Sequence, residues 1–384
     1  MRILISTLSY PPNVSGVAVA VDLQSRYFAK QGHTVLVVAP SRSLTSYKEK
    51  RDAITIFRVR AIPNPVRRGF HIPIFTGAWM KKIFTEFRPD IVHVHDPMAM
   101  SRYLQAHARD HGVSTVVSNH FMLDYVGEYL PAFMRGFVLE RLRKKIVRFY
   151  NVCQAVIAPS KTVADYLTGL GVTTKVVPLS NGVDLERFFT YLPTAATHRR
   201  YKLPEVPIIL YVGRLDKDKA LDLLVEAFAQ VSKDVRCHLL IVGSGNKRAH
   251  LKHTLKRAGL GSISTLTGTI EHHSIDLVAA YQVADIFVMP SAIETQSIAT
   301  LEAMAAGKPV VAAAGGALPE LIEDGTNGLL FRPGDRAELE QCLKNLLTNA
   351  PLRARMGAEN ITRIARHELQ YSLGKYEKLY QTLL

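Results

Sequence analysis

Cysteine is scarce in this chain of 384 residues: Cys153, Cys237 and Cys342 lie far apart and never in CxxC spacing. That usage excludes a disulfide scaffold and a cysteine-built zinc site. No stretch of about 18 uncharged apolar residues occurs, so no membrane-spanning helix is expected. The first residues, Met1-Arg-Ile-Leu-Ile-Ser6, run straight into a strand-like pattern without the layout of a signal peptide. Internal repeats and low-complexity tracts are also missing. These absences point to a soluble protein of a reducing compartment. Acidic residues are in deficit as well, 33 against 48 Lys and Arg, for a net charge of +15. The deficit is uneven: residues 1–185 hold 24 basic and 12 acidic side chains, a net of +12, and the remainder only +3. Such asymmetry suits a polyanionic surface, nucleic acid or anionic lipid; a generally basic proteome would give the same total.

What the chain does have is length for two domains, 47% apolar residues, and a repeating alternation of short β-branched runs with amphipathic stretches. Strands are expected at Arg2–Thr7, Thr34–Ala39, Ile54–Val59, Ile91–His95, Ser114–Ser118 and Ala155–Ala158. Helices are expected over Val17–Gln31, Gly77–Phe87 and Met98–His111. The pattern restarts with strands Ile208–Val212, His238–Val242, Ile286–Met289 and Pro309–Ala312, and a helix over Ala220–Val231. Near-continuous apolar strands separated by helices indicate parallel sheets covered on both faces. Two such runs predict an α/β protein of two doubly wound domains with a cleft between them. The join falls around Val177–Asp184, and the polar segment 191–207 follows it.

Ligands of such sheets bind beyond the carboxyl ends of the strands. Pro11-Pro-Asn-Val-Ser-Gly16-Val follows the first strand and opens a helix, where a glycine allows close ligand approach and the helix start favours an anion; a plain tight turn would look the same. Gly213-Arg-Leu-Asp-Lys-Asp-Lys219 follows the first strand of the second run, so Arg214 and Lys219 could converge on a diphosphate, or simply form a solvated basic loop. Gly243-Ser-Gly245 is a second phosphate-style turn without the third glycine of a dinucleotide fingerprint. The sharpest constellation runs from Pro290 to Val311. Glu294 sits in the loop after a strand, Thr295–Ile298 open a helix, and Glu302, eight residues on, is expected on nearly the same helix face as Glu294. The free amides at that helix start suit a phosphate.

Together, the Pro-Pro-x-x-Ser-Gly-Val opening, Gly213-Arg-Leu…Lys219 and the E-x7-E pair inside Leu-Glu-Ala-Met-Ala-Ala-Gly-Lys-Pro-Val-Val make nearly the whole chain resemble a retaining glycosyltransferase of family 4, with the two-domain GT-B fold. The resemblance implies residues 1–182 plus a C-terminal helix of about 368–384 as the acceptor and membrane-side domain, and 183–367 as the donor domain. It implies transfer from a nucleotide-sugar, with Arg214 and Lys219 neutralising the diphosphate and the amides of Ser297 and Ile298 binding the same phosphates. Glu294 would hold the sugar and Glu302 the ribose. Gly16, Gly213 and Gly243 would give backbone access, and the backbone near Gly268–Glu271, Ile270 included, would meet the base. His120, in Ser118-Asn-His-Phe, matches a histidine beside the transferred sugar, and the leaving phosphate acts as the base. Ser15 and Ala220 stand where family members carry glycine. His93-Val-His95-Asp96 has the residue types of a metal site, but in the family this strand end lines the cleft without metal, so no metal or other cofactor is expected.

Glu294-Thr-Gln-Ser, in place of Glu-Gly-Phe-Gly, is similar to members that glycosylate diacylglycerol, and so is the loop Asn119–Pro131 with Asp124 and Tyr125 on the acceptor side. Beyond it, Phe133–Tyr150 is expected to form a helix with Val138, Leu142, Ile146 and Phe149 as one stripe. Arg141, Lys144 and Arg148 form a neighbouring basic stripe, with Lys145 between the two. That pattern suits adsorption to anionic headgroups, although a core helix with a solvated charged side has the same pattern. The expectation is a cytoplasmic enzyme held peripherally on the inner face of the cell membrane, using UDP-glucose and a lipid acceptor such as 1,2-diacylglycerol. A GDP-mannose-dependent phosphatidylinositol mannosyltransferase and a soluble enzyme with a small sugar acceptor remain the alternatives. Nucleic acid is not an expected partner, because no nucleic-acid-binding motif appears.

Overall fold

A computed structural model describes every residue except Val14, 66–68, Glu128, Tyr129, Tyr191 and Pro193, and the backbone alone of Asp124. The chain divides into two units, one of Met1–Asn181 with Gln370–Leu384 and one of Gly182–Leu369.

The first unit is built on ten strands: β1 (Arg2–Ser6), β2 (Thr34–Pro40), β3 (Tyr47–Arg51), β4 (Ile54–Val59), β5 (Ala61–Pro63), β6 (His71–Pro73), β7 (Ile91–Val94), β8 (Ser114–Ser118), β9 (Ala155–Ala158) and β10 (Val176–Pro178). Eight of them form one sheet in the order β10-β9-β8-β7-β1-β2-β4-β3, and β5 pairs with β6 as a separate ribbon. Leu4 on β1 lies opposite Leu36 on one side and Val92 on the other, in parallel register. These apolar runs are covered on both faces, which is why they lack polar alternation. The exception is β3, whose Tyr-Lys-Glu-Lys-Arg sequence pairs antiparallel with β4 at the sheet edge; charged residues there discourage further strand addition.

Helices Gly16–Lys30, Thr76–Phe87, Ala99–Asp110 and Ala132–Tyr150 belong to this unit. So does the last helix, Leu369–Gln381, with Tyr376 and Tyr380 buried. Tyr380 Oη lies 2.7 Å from His93 Nδ1, and Glu377 pairs with His33 at 2.8 Å.

The second unit carries β11 (Ile208–Val212), β12 (His238–Val242), β13 (Ser264–Gly268), β14 (Ile286–Met289), β15 (Val310–Ala313) and β16 (Gly328–Phe331). All pairs are parallel, in the order β13-β12-β11-β14-β15-β16. The linker region read as polar, 191–207, contains the helix Thr194–Tyr201. Strand order reverses between β1 and β7 in the first unit and between β11 and β14 in the second. Those reversals open the crevices where ligands of such sheets sit.

Candidate active site

In the second unit the loops after β11 and β14 meet at the reversal. Lys219 Nζ reaches Glu294 Oε1 at 2.5 Å and Asp218 at 3.4 Å, with all three side chains nearly buried. Arg214 pairs with Asp216 and, at 3.3 Å, with Asp218. Burial alone would pull the Lys219 ammonium down, but the charges of Glu294 and Asp218 outweigh it and hold its pKa above the ordinary lysine value. Two cations therefore stand among three carboxylates. Pairing fixes long side chains that would otherwise sample many rotamers. The loops are held as tightly by backbone: Ser291 Oγ donates to Asp218 O at 3.0 Å, and the Asn246 N–H to Asp216 at 2.9 Å.

Glycine is required where these turns touch. Gly243 has φ +140°, and a Cβ there would lie 1.8 Å from the Gly213 carbonyl oxygen. Gly316 (φ +55°) lies against the Glu294 backbone, where a Cβ would come within 2.4 Å of its carbonyl oxygen. The residue after Lys219 is Ala220, which takes the left-handed conformation (φ 48°, ψ 38°) that glycine adopts freely.

The helix expected to open at Thr295 begins at Ile298, with Ser297 as its N-cap (φ 68°) accepting from the Thr300 N–H at 3.3 Å. Glu294 consequently lies in the loop, and the expectation that it shares a helix face with Glu302 is corrected. The left-handed turn at Ser297 separates them. Glu302 is buried on the helix, with Tyr281 Oη donating to one carboxylate oxygen at 2.7 Å and His272 Nε2 2.6 Å from the other. Neither partner carries a motif, since both reach Glu302 from sequence positions 21 and 30 residues away. Ile270 is half-buried in the loop after β13, on the edge of the core.

In the first unit β7, which carries His93, and the loops after β7 and β8 bring three histidines together. His95 Nδ1 is 2.8 Å from His120 Nε2, with the rings stacked at 5.1 Å. His93 spends its nitrogens on Ser118 and Tyr380. Burial holds all three well below the ordinary histidine value, His93 at about 3 and His120 at about 4. The loop is pinned by Asn119, which accepts from Tyr150 Oη and donates to Phe121 O, both at 2.8 Å. Asp96 takes hydrogen bonds from the Leu8 and Met98 amides and from Ser101, yet burial pushes its carboxyl up to about 6.

Gly16 is the first residue of its helix, with open space where a Cβ would project. Ser15, in place of the family's first glycine, caps that helix: its Oγ accepts from the Ala18 N–H at 3.1 Å and lies 2.7 Å from Ser9 Oγ.

Tyr125 is half-buried, and the side chain of Asp124 lies outside the described residues. On the helix Ala132–Tyr150, Ile146 and Phe149 of the expected stripe are buried, whereas Val138 and Leu142 are half-buried. Arg141, Lys144, Lys145 and Arg148 are exposed. At the helix start Phe133 and Phe137 are 87% and 65% exposed, with Met134 beside them and Arg141 stacked 4.8 Å over the Phe137 ring. Among the described residues no helix is long and apolar enough to cross a membrane.

The sequence profile of Glycosyltransferase Family 4 matches residues 14–187, and that of Glycosyl transferases group 1 matches residues 206–349. Sulfoquinovosyl transferase SQD2 of Arabidopsis thaliana is 28% identical over 90% of this chain, which spans 65% of that longer protein. Alpha-monoglucosyldiacylglycerol synthase of Acholeplasma laidlawii is 25% identical over 90% of this chain and 87% of its own. A GDP-mannose-dependent alpha-(1-6)-phosphatidylinositol dimannoside mannosyltransferase of Mycobacterium tuberculosis is 29% identical over 84% of this chain and 82% of its own. Among solved structures, sucrose-phosphate synthase from Thermosynechococcus elongatus superposes with a TM-score of 0.84 at 22% identity, covering 99% of this chain and 98% of that one. That likeness gives the GT-B fold of two Rossmann-like domains. With profile matches over both units and the ion-paired Lys219–Glu294 loops at the strand-order reversal, the chain belongs to glycosyltransferase family 4 and is a glycosyltransferase.

Proposed function

We propose that the chain transfers glucose from UDP-glucose to a membrane lipid such as 1,2-diacylglycerol, with retention at the anomeric carbon. The observation that carries the donor half is the Arg214–Lys219–Glu294 cluster beside the helix start at Ser297. On this reading Arg214 and Lys219 exchange carboxylate partners for the donor diphosphate, and the Ser297 and Ile298 amides join them. Glu294, released from Lys219, accepts from hydroxyls of the sugar, and Glu302 from the ribose. Ile270 lies on the base side, and Gly213 and Gly243 keep side chains out of the phosphate path. In the first unit, Gly16 and His120 are the residues that the family likeness assigns to the phosphates and to the sugar. The reaction needs no metal, because the two cations stabilise the departing diphosphate and that phosphate takes the proton of the incoming hydroxyl.

The acceptor half is supported by the exposed Phe133, Met134 and Phe137 ahead of Arg141, Lys144, Lys145 and Arg148. Aromatic residues that enter the acyl boundary, with cations level with anionic headgroups, would dock the chain on the inner face of the cell membrane. Asp124 and Tyr125 are the acceptor-side residues on this reading. The likeness to a mannosyltransferase supports GDP-mannose and a phosphatidylinositol lipid as the second reading.

The test is nucleotide release from UDP-glucose, UDP-galactose and GDP-mannose, with and without anionic liposomes containing diacylglycerol. UDP release from UDP-glucose that requires the liposomes supports the proposal. GDP release selects the second reading, and release indifferent to lipid refutes a membrane acceptor.

A further inference from the structure

We infer that His272 is a positioning residue of the donor site, holding Glu302 for the ribose and tying it to the loop after β13; the inference rests on the ribose role proposed for Glu302. Glu302 is 3% exposed, with Tyr281 Oη at one carboxylate oxygen and His272 Nε2 at the other. Each carboxylate oxygen has two lone pairs, so one remains on each for a ribose hydroxyl. Neither oxygen can turn without breaking a bond of 2.6 or 2.7 Å.

His272 is itself anchored. The Arg187 guanidinium donates to its carbonyl oxygen, and the Ser274 hydroxyl, two residues on, caps the next helix by accepting from the Asp276 N–H at 3.1 Å. The same loop begins at Gly268, whose carbonyl accepts from the Gly243 N–H at 2.8 Å. The loop next to the base, the turn next to the phosphates and the carboxylate next to the ribose are therefore joined, with His272 the link to the carboxylate. Its Nδ1 is buried without a partner among the described residues.

The test compares binding of UDP and GDP, their 2′-deoxy and 3′-deoxy forms, and inorganic pyrophosphate to the full chain and to three variants, His272→Ala, His272→Gln and Glu302→Ala. Loss of an orienting outer partner typically costs about tenfold. The expected result for His272→Ala is a loss of about that size for the ribonucleotides, a smaller ribo-to-deoxy preference, and unchanged pyrophosphate binding. His272→Gln, whose amide nitrogen reaches about as far as Nε2, restores most of the preference. An equal loss for pyrophosphate, or a ribo-to-deoxy preference untouched in His272→Ala, overturns the positioning role. If Glu302→Ala leaves that preference intact, the ribose reading of Glu302 has failed, and the inference fails with it.

Discussion

Acidification should weaken the first unit through its buried histidines. His93 and His95 are buried with pKa values far below the ordinary 6.5, so the folded unit refuses protons that the unfolded chain accepts. Stability from these groups is complete above pH 6.5 and is lost as pH falls towards their folded values. Between pH 7.5 and 5.5 each costs about 1.4 kcal/mol, about 3 kcal/mol together. Half-buried His120 adds less than a full share. Asp96 works in the opposite sense: raised to about 6 by burial, it binds its proton in the folded unit first and returns about 0.8 kcal/mol over the same range. With His120 included, the net expectation is a loss of about 2–3 kcal/mol. Trp79, the chain's single tryptophan, packs 5.2 Å from Phe57 in this unit, so its fluorescence in urea titrations reports this unit alone. The slope should belong to the cluster: His95→Gln lowers stability at pH 7.5 but shrinks the pH-dependent loss by about 1.4 kcal/mol. Equal urea midpoints at pH 7.5 and 5.5, or an undiminished slope in His95→Gln, would refute the argument.

Four further outcomes are expected. Ala220→Gly removes left-handed strain of about 1 kcal/mol and raises the calorimetric transition of the second unit by about 2–4 °C, with Trp79 fluorescence unaffected. Gly243→Ala forces a methyl group into the Gly213 carbonyl and destabilises the second unit by about 3 kcal/mol or more, read in the same calorimetric transition. Lys219→Ala and Glu294→Ala keep their fold by circular dichroism but lose transfer by about a hundredfold or more; full activity in either removes that pair from the site. Phe133→Ser with Phe137→Ser weakens liposome binding at all salt concentrations by at least about tenfold, whereas Arg141→Gln, Lys144→Gln and Arg148→Gln together weaken it chiefly at low salt, in flotation assays.

The central strands were legible because burial on both faces demands uninterrupted apolar runs, and Ile54–Val59, Ile208–Val212 and Ile286–Met289 appear where the runs stand. The edges were not. Tyr47–Arg51 is a strand made of charged residues, Ser264–Gly268 is half polar, and Val176–Pro178 lies where turn residues suggested the end of the first run. Such strands are held by a neighbour's backbone, which local composition does not register. The site divides in the same way. Loop residues adjacent to strands, Arg214, Lys219 and Glu294, could be named from spacing, and the carboxylates that pair with Arg214 were visible in the same Asp-Lys-Asp string. That Lys219 bonds Glu294 across 75 residues, or that His272 and Tyr281 hold Glu302, depends on strand order. The helix Ala132–Tyr150 was legible as amphipathic, yet which of its aromatics would be covered depended on neighbours distant in sequence, and Phe133 and Phe137 proved to be the bare ones.

The return of residues 370–384 to the first unit sets an order of events during synthesis. The sheet of that unit leaves the ribosome first, but Tyr376, Tyr380 and Glu377 arrive only after all 188 residues of the second unit. Until then His93 lacks its tyrosine and His33 its carboxylate. Domains usually mature from the N-terminus onward; here the later unit can finish before the earlier one, and the earlier one waits for residues 370–384 to close its core. A chain cut short between residues 370 and 384 would release a complete second unit joined to an unfinished first.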